Sequence, residues 1–297
     1  MLGVIALVIT MVATHVHASD FWDEVKTPGL REQRRLTTQA AAALAAGRNI
    51  EALGLADRAI ARVDGRADAH LLRAVALGSL ARAQDGLTAL RRAVELDSRV
   101  ADAFPDLGER AALVALRADD PELAATVLGR VVARMAATPA RQRLEALRGD
   151  ALLTVGPPRL ADALRAFRDA LRLAPQDLRV RLGLALALRR NGEPDEAAEV
   201  IRGTGLARSR PDLFVQSLEL PLPRAEIAAR RAVGLAAIGD VEGERDAWQE
   251  AATREAWREH AERELAASRA AAGPGAAVDT RPQQVETQRR SGARRPR

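Results

Sequence analysis

Small and apolar residues return along this chain at two periods. The shorter is helical: between Glu255 and Ala270, Trp257, Ala261 and Leu265 fall four apart on one side, while Arg258, Glu259, Glu262 and Arg263 occupy the other. That alternation predicts an amphipathic helix. The longer period is thirty-four residues: Ala52 and Ala59 sit in one helix-like segment and are followed at that distance by Gly86 and Ala93, as Ala163 and Phe167 are by Ala197 and Ile201. A repeat of this size marks a supersecondary unit that recurs along the chain. Gly47, Gly192 and Gly239 fall where the turn between paired helices is predicted.

The spacing has a packing cause. Small residues at Ala52, Gly86, Ala163 and Ala197 let a second helix approach its partner closely, and Leu77, Leu188 and Leu235 fill the space between helices. Asp120-Pro121 and Glu193-Pro194 put a proline at the start of a second helix, where its missing N–H costs nothing, and Asp120 is placed to cap it. Pro139 and Pro175 separate successive units. The interval stretches to thirty-eight residues from Gly86 to Ala124, thirty-nine from Ala124 to Ala163 and forty-seven from Ala197 to Glu244. This places about four extra residues near Arg117 to Asp120, a few around Met135 to Arg143 and Gly156 to Arg159, and thirteen near Arg208 to Pro221. Two readings of the last insertion stay open: a short extra helix packed under a neighbouring repeat, or a segment folded across the concave face.

First helices carry a signature of their own. Phe104-Pro-Asp-Leu107-Gly108-Glu-Arg-Ala111 is an aromatic, two spacers, Leu-Gly, two spacers and a small residue, and Ala163, Phe167, Ala170 and Pro175 complete a second-helix pattern. Together these resemble the tetratricopeptide repeat, W-x2-L-G-x2-Y in one helix and A-x3-F with a later Pro in the next. The resemblance implies an all-α, right-handed solenoid of stacked antiparallel helix pairs, with six degenerate units between about Arg31 and Thr253 and Glu255–Ala270 as a capping helix. It also implies a concave inner wall, built from first helices, that receives a peptide, a partner helix or a protein domain. The subset of the family that clamps a terminal carboxylate is not matched: Thr37, Ala41, Leu72, Asp102 and Asp106 stand at the corresponding sites, with no cation among them. Projecting the first helices gives Asp68, Leu71, Val75, Asp102 and Glu109 toward one end of the wall, and Arg148, Arg179, Leu182, Leu186 and Arg189 toward the middle. The expected ligand is thus a peptide or helix of mixed charge, gripped by an apolar floor and oriented by an acidic-to-basic gradient.

Composition agrees with the helical reading. Apolar residues make up 47% of the chain and aromatics only 2%, so the core is Ala, Leu and Val, as closely packed helices require. With no cysteine, disulfides, thiolate metal sites and a lipidated N-terminal Cys are excluded. Residues 2–13 form an apolar run too short for an easy bilayer crossing, followed by Val16-His17-Ala18, and residues 1–18 therefore read as a signal peptide cleaved after Ala18. A retained inner-membrane anchor is the alternative. Residues 19–30 then form a linker, 31–270 the solenoid and 271–297 a disordered tail, whose six Arg against Asp279 and Glu286 carry +4 of the net +5.

Convergent chemistry is missing. No nucleophile elbow, P-loop or dinucleotide fingerprint occurs. His70 takes the place of a repeat-opening aromatic and should pack between helices. His260 and Glu264, one turn apart, have the spacing of two metal ligands, but on a charged capping helix they read as solvated surface. No cofactor, metal or catalytic residue is expected. The arginine tail lacks aromatic residues for base stacking, so nucleic acid is not expected either. The role expected is a non-enzymatic scaffold binding a protein or peptide, periplasmic or secreted, with membrane contact only if residues 2–18 stay in place. The competing reading is a self-associating structural array, with Phe21 and Trp22 as an apolar hook.

Overall fold

The computed structural model describes residues 25–103, 105–202, 204 and 222–271. Among them thirteen α-helices and two short 3-10 turns follow one another, with no strand. The helices pair: α1 (Leu30–Ala45) with α2 (Asn49–Arg62), α3 (Ala67–Ser79) with α4 (Ala83–Leu96), and α5 (Pro105–Arg117) with α6 (Pro121–Ala133). Then come α7 (Pro139–Val155) with α8 (Leu160–Leu173), α9 (Leu178–Arg190) with α10 (Pro194–Ile201), and α11 (Arg224–Ile238) with α12 (Val241–Ala251). The last helix, α13 (Glu255–Ala271), has no second member. First helices touch in succession from α1 through α3 to α5 and from α7 through α9 and α11 to α13, and α6 joins the two runs by packing on both α5 and α7. The result is the expected solenoid of six helix pairs and a terminal helix.

Leu, Ala and Arg dominate these segments and are strong helix formers, while caps and corners set their ends. Asp120, Thr138, Asp177 and Asp240 each accept a hydrogen bond from the backbone N–H three residues on, opening α6, α7, α9 and α12. Gly47, Gly192 and Gly239 turn the corner inside a pair at φ +71°, +84° and +79°. The same corner is made by Ala81 and Asp119 at φ +60° and +62°, a conformation that strains an L side chain.

Ala52, Gly86, Ala124, Ala163, Ala197 and Glu244 each stand fourth in their second helix, so the register read from the small residues holds through all six pairs. Two extra segments are placed differently: Pro121 to Pro139 spans eighteen residues, as do Asn49 to Ala67 and Leu160 to Leu178, so nothing is added around Met135 to Arg143. Start-to-start spacing inside a pair is sixteen residues for Ala67 to Ala83, Pro105 to Pro121 and Leu178 to Pro194, so nothing is inserted near Arg117 to Asp120. The added residues lie between pairs, where Val100–Ala103 forms a 3-10 turn before α5. A corner of three residues closes tightly around a positive-φ residue and has no room for more, whereas the link between pairs crosses open surface. The Gly156 to Arg159 addition is where it was expected, as a 3-10 turn, and α7 is longer than its counterparts. The insertion at Arg208–Pro221, the segment 1–18, Phe21, Trp22, Phe104 and the tail beyond 271 lie outside the described residues.

Buried apolar residues form one continuous cluster from Ala40 to Leu265, with a small satellite of Leu36, Ala59 and Ala69. Phe167 on α8 is wedged between two glycines: a Cβ built on Gly149 of α7 would lie 2.7 Å from its ring, and one on Gly183 of α9 only 2.5 Å. Trp257, Ala261 and Leu265 face inward, as the helical pattern of α13 implied. No described helix is long and apolar enough to cross a membrane.

Gly183→Ala should therefore lower unfolding free energy by about 1–3 kcal/mol through overpacking against Phe167. Ala81→Gly should raise it by ~0.5–1 kcal/mol by relieving the left-handed corner. Urea denaturation followed by circular dichroism reads both signs.

Candidate groove on the inner wall

The inner faces of α3 and α5 enclose a groove of about 740 Å³. Its floor is low because Gly78 has no side chain: a Cβ there would come within 2.1 Å of Val114 Cγ2, so α5 settles directly onto α3. Leu113, Ala81 and Ala83 give the groove its accessible apolar lining over buried Val75 and Val114, with Ser79, Arg110 and Arg117 as its polar groups. Arg110 donates from Nη2 to Ser79 Oγ at 2.9 Å and from Nη1 to the Leu44 carbonyl at 3.5 Å, in the last turn of α1. It meets no carboxylate among the described residues, and burial pulls its pKa below the ordinary arginine value. Arg117, two turns further along α5, is exposed and makes no ion pair or hydrogen bond among the described residues.

The residues projected from sequence onto the wall lie elsewhere or are already engaged. Leu71 and Leu182 are 0% exposed and belong to the core, as do Val75 and Leu186 except at Val75's edge of the groove. This corrects the expected open apolar floor: a first helix in a stack is covered by its own second helix and by both neighbouring first helices, so little of it stays bare. Asp68 accepts from Gln33 Nε2 at 3.0 Å and ties α3 to α1. Asp102, in the 3-10 turn, pairs with Arg134 at 3.1 Å, and Glu109 takes a bidentate Arg143 at 2.7 and 3.0 Å. Arg148 pairs with Glu145 at 3.5 Å, Arg179 with Asp150 at 3.4 Å, and Arg189 with Glu264 and, at 3.2 Å, Glu244. The acidic-to-basic gradient is therefore neutralised within the chain, and the open groove at the supposedly acidic end presents arginines.

Sequence reasoning missed Arg110 and Arg117 because nothing local distinguishes them from other arginines. A usable signal did exist for the paired groups. Gln33–Asp68, Glu109–Arg143 and Gln142–Asp177 are separated by 34 or 35 residues, one repeat length, so equivalent helix positions in adjacent units meet.

Toward the C-terminal half the wall closes over charge. Asp150 on α7 receives Arg230 of α11 at 2.6 Å, and both side chains are almost fully buried. Glu226 is 1% exposed with neither carboxylate oxygen hydrogen-bonded, and burial raises its pKa despite Trp257 and Arg254 nearby. Arg190 donates to the Leu153 carbonyl at 2.8 Å and stacks 4.1 Å over Trp257, its pKa pushed down to about 10 by desolvation. His70 is buried as expected, its Nε2 within 2.9 Å of the Asp64 carbonyl. His260 is not the solvated residue the charged helix suggested: it is 4% exposed, edge-on to Trp248 at 5.3 Å and Trp257 at 5.9 Å. Its neighbour Glu264 is held by Arg189, and no group of three or more His, Asp or Glu suited to a metal occurs among the described residues.

With this geometry in view, comparison with known proteins is informative at one place in the chain. A family model described as the tetratricopeptide repeat matches residues 159–212, which span α8, α9 and α10. The chain carries a tetratricopeptide repeat. Its other helix pairs repeat the same architecture around the matched segment. Among solved structures, the chain is similar in fold to MamA from strain MSR-1, at 18% identity and a TM-score of 0.47 over 63% of this chain and 98% of that one. It is also similar to PilF from Pseudomonas aeruginosa, at 19% identity and a TM-score of 0.43 over 76% and 95%. A tetratricopeptide repeat protein from Parabacteroides merdae gives 14% and 0.43 over 80% and 99%. No curated protein matches the chain by sequence. Tetratricopeptide arrays are protein–protein interaction scaffolds and are generally non-catalytic.

The buried histidine gives a pH signature. Burial, then the charges of Arg190, Arg263 and Arg189, lower the His260 pKa from 6.5 to about 3. Between these values the unfolded chain binds a proton that the folded chain refuses. Stability from this residue is thus intact above pH 6.5 and is lost as the pH falls through that window, by ~3–5 kcal/mol in all. Glu145 and Glu226, whose pKa values burial raises, act in the opposite sense. In His260→Phe the difference from the unaltered chain should grow in the variant's favour as pH drops from 7 to 4, measured by thermal melts; parallel curves would contradict it.

Proposed function

We propose that this chain is a non-enzymatic scaffold that holds a peptide or helix of a partner protein in the inner-wall groove between α3 and α5. The observation that carries the reading is the groove itself: an apolar floor set low by Gly78, flanked by hydrogen-bonding groups, on the wall that tetratricopeptide arrays offer to partners. Such a trough admits an extended segment and leaves its backbone within reach of Ser79 and Arg110. The charged clusters further along are buried within the array and act as its internal fastening.

The envelope of a bacterium is the proposed location. It is supported by the apolar run of residues 2–13 and the small residues of Val16-His17-Ala18 that follow it. A chain recovered from the periplasm with Ser19 at its N-terminus is the expected outcome, read by intact mass; retention of residues 1–18 in a membrane fraction would point to an anchor.

A photo-crosslinking side chain at Ser79 tests the groove against one at Arg165, a solvent-exposed position on α8. Crosslinks to a recurring partner peptide should come from Ser79 and not from Arg165, by mass spectrometry of the adducts. Equal yields from both positions, or adducts only between copies of this chain, would remove the reading.

A further inference from the structure

Several acids near the α3–α5 groove are paired among the described residues. Glu109 is spent on Arg143, Asp120 caps α6 and pairs with Arg91, and Asp119 pairs with Arg254. Among the described residues no carboxylate lines the groove, yet two guanidinium groups do. Arg110 is anchored from one side by Ser79 and Leu44, which fixes the direction of its remaining N–H groups without neutralising its charge. Arg117 lies seven residues on, the same face of α5 after two turns, with Leu113 between them. A half-buried cation without a counter-ion binds an incoming carboxylate more strongly than a solvated one does.

We propose that this groove selects an extended acidic segment: an aspartate or glutamate side chain seated between Arg110 and Arg117, with an adjacent apolar side chain against Leu113, Ala81 and Ala83. The proposal rests on the reading of the groove as a protein-binding site and specifies the chemistry of its partner. The occupant is an internal acidic residue. The positions that would clamp a terminal carboxylate are Thr37, Ala41, Leu72, Asp102 and Asp106, and neither Arg110 nor Arg117 is among them. Selectivity comes from charge, so affinity falls with added salt.

Three fluorescently labelled twelve-residue peptides, blocked at both ends, provide the test: alternating Leu and Glu, alternating Leu and Gln, and alternating Leu and Arg. Binding to the full chain is followed by anisotropy. The Glu peptide should bind at least about tenfold more tightly than the Gln peptide, and the Arg peptide not at all. Arg117→Glu, at an exposed position with no partner among the described residues, should weaken the Glu peptide about tenfold or more and admit the Arg peptide. Ser79→Trp, which fills the groove, should abolish binding of the Glu peptide. Equal binding of the Glu and Gln peptides, both lost in Ser79→Trp, would overturn the acidic selectivity and leave the groove as a peptide site. Binding of the Glu peptide that survives both substitutions would place it elsewhere and overturn the proposal. Binding of none of the three would overturn the groove reading along with it.

Discussion

A pair of helices eight to seventeen residues long covers one side of each member and leaves an apolar flank bare on both, so no pair is stable alone. The flank is hidden only if the next pair lies close, and closeness is decided by side chains that are absent. A Cβ on Gly86 would lie 2.8 Å from Val114 Cγ1 of the next pair, and Gly149 and Gly183 admit the Phe167 ring between two first helices. These contacts are dispersion at short range, individually small and collectively the source of the core. They set how nearly one unit stacks on the next, and through that the course of the inner wall.

The same stacking sorts the charges. Equivalent positions in adjacent units come together, so an acid on one first helix finds a base or amide one repeat away, as Glu109 finds Arg143 and Asp177 finds Gln142. Across the C-terminal units Asp150, Arg230, Glu226 and Arg190 are buried, Arg230 paired with Asp150 and Arg190 stacked over Trp257. Buried charge of this kind fixes geometry more than it adds stability, because desolvation offsets most of the attraction. Between α3 and α5 the balance differs. Gly78 lets Val114 of α5 pack directly on α3, Arg110 is desolvated with no carboxylate partner among the described residues, and a groove stays open beside them. The array is thus fastened by buried charge at one end and keeps an open groove nearer the other.

Much of the architecture was visible in the residues before any coordinate. The small residue fourth in the first five second helices, the capping Asp120, the positive-φ glycines and the inward Trp257, Ala261 and Leu265 are local or periodic features, governed by backbone sterics and helical geometry. The site was visible only in outline. Leu71 and Leu182 look outward on an isolated helix and lie in the core of the stack. His260 looks solvated on a helix full of Glu and Arg, and is enclosed by Trp248 and Trp257. Arg148, Arg179 and Arg189 look available and are each paired with an acid of the same chain.

What the amino-acid sequence determined by itself is the repeating pair of helices and its register, since these depend on residues near one another along the chain and on a period that can be counted. Which charges remain free, which apolar residues stay uncovered and where the wall opens were decided by tertiary structure. Each of those outcomes depends on the distance between helices one repeat or more apart, and that distance is set jointly by glycines, ring sizes and corner angles spread over several units.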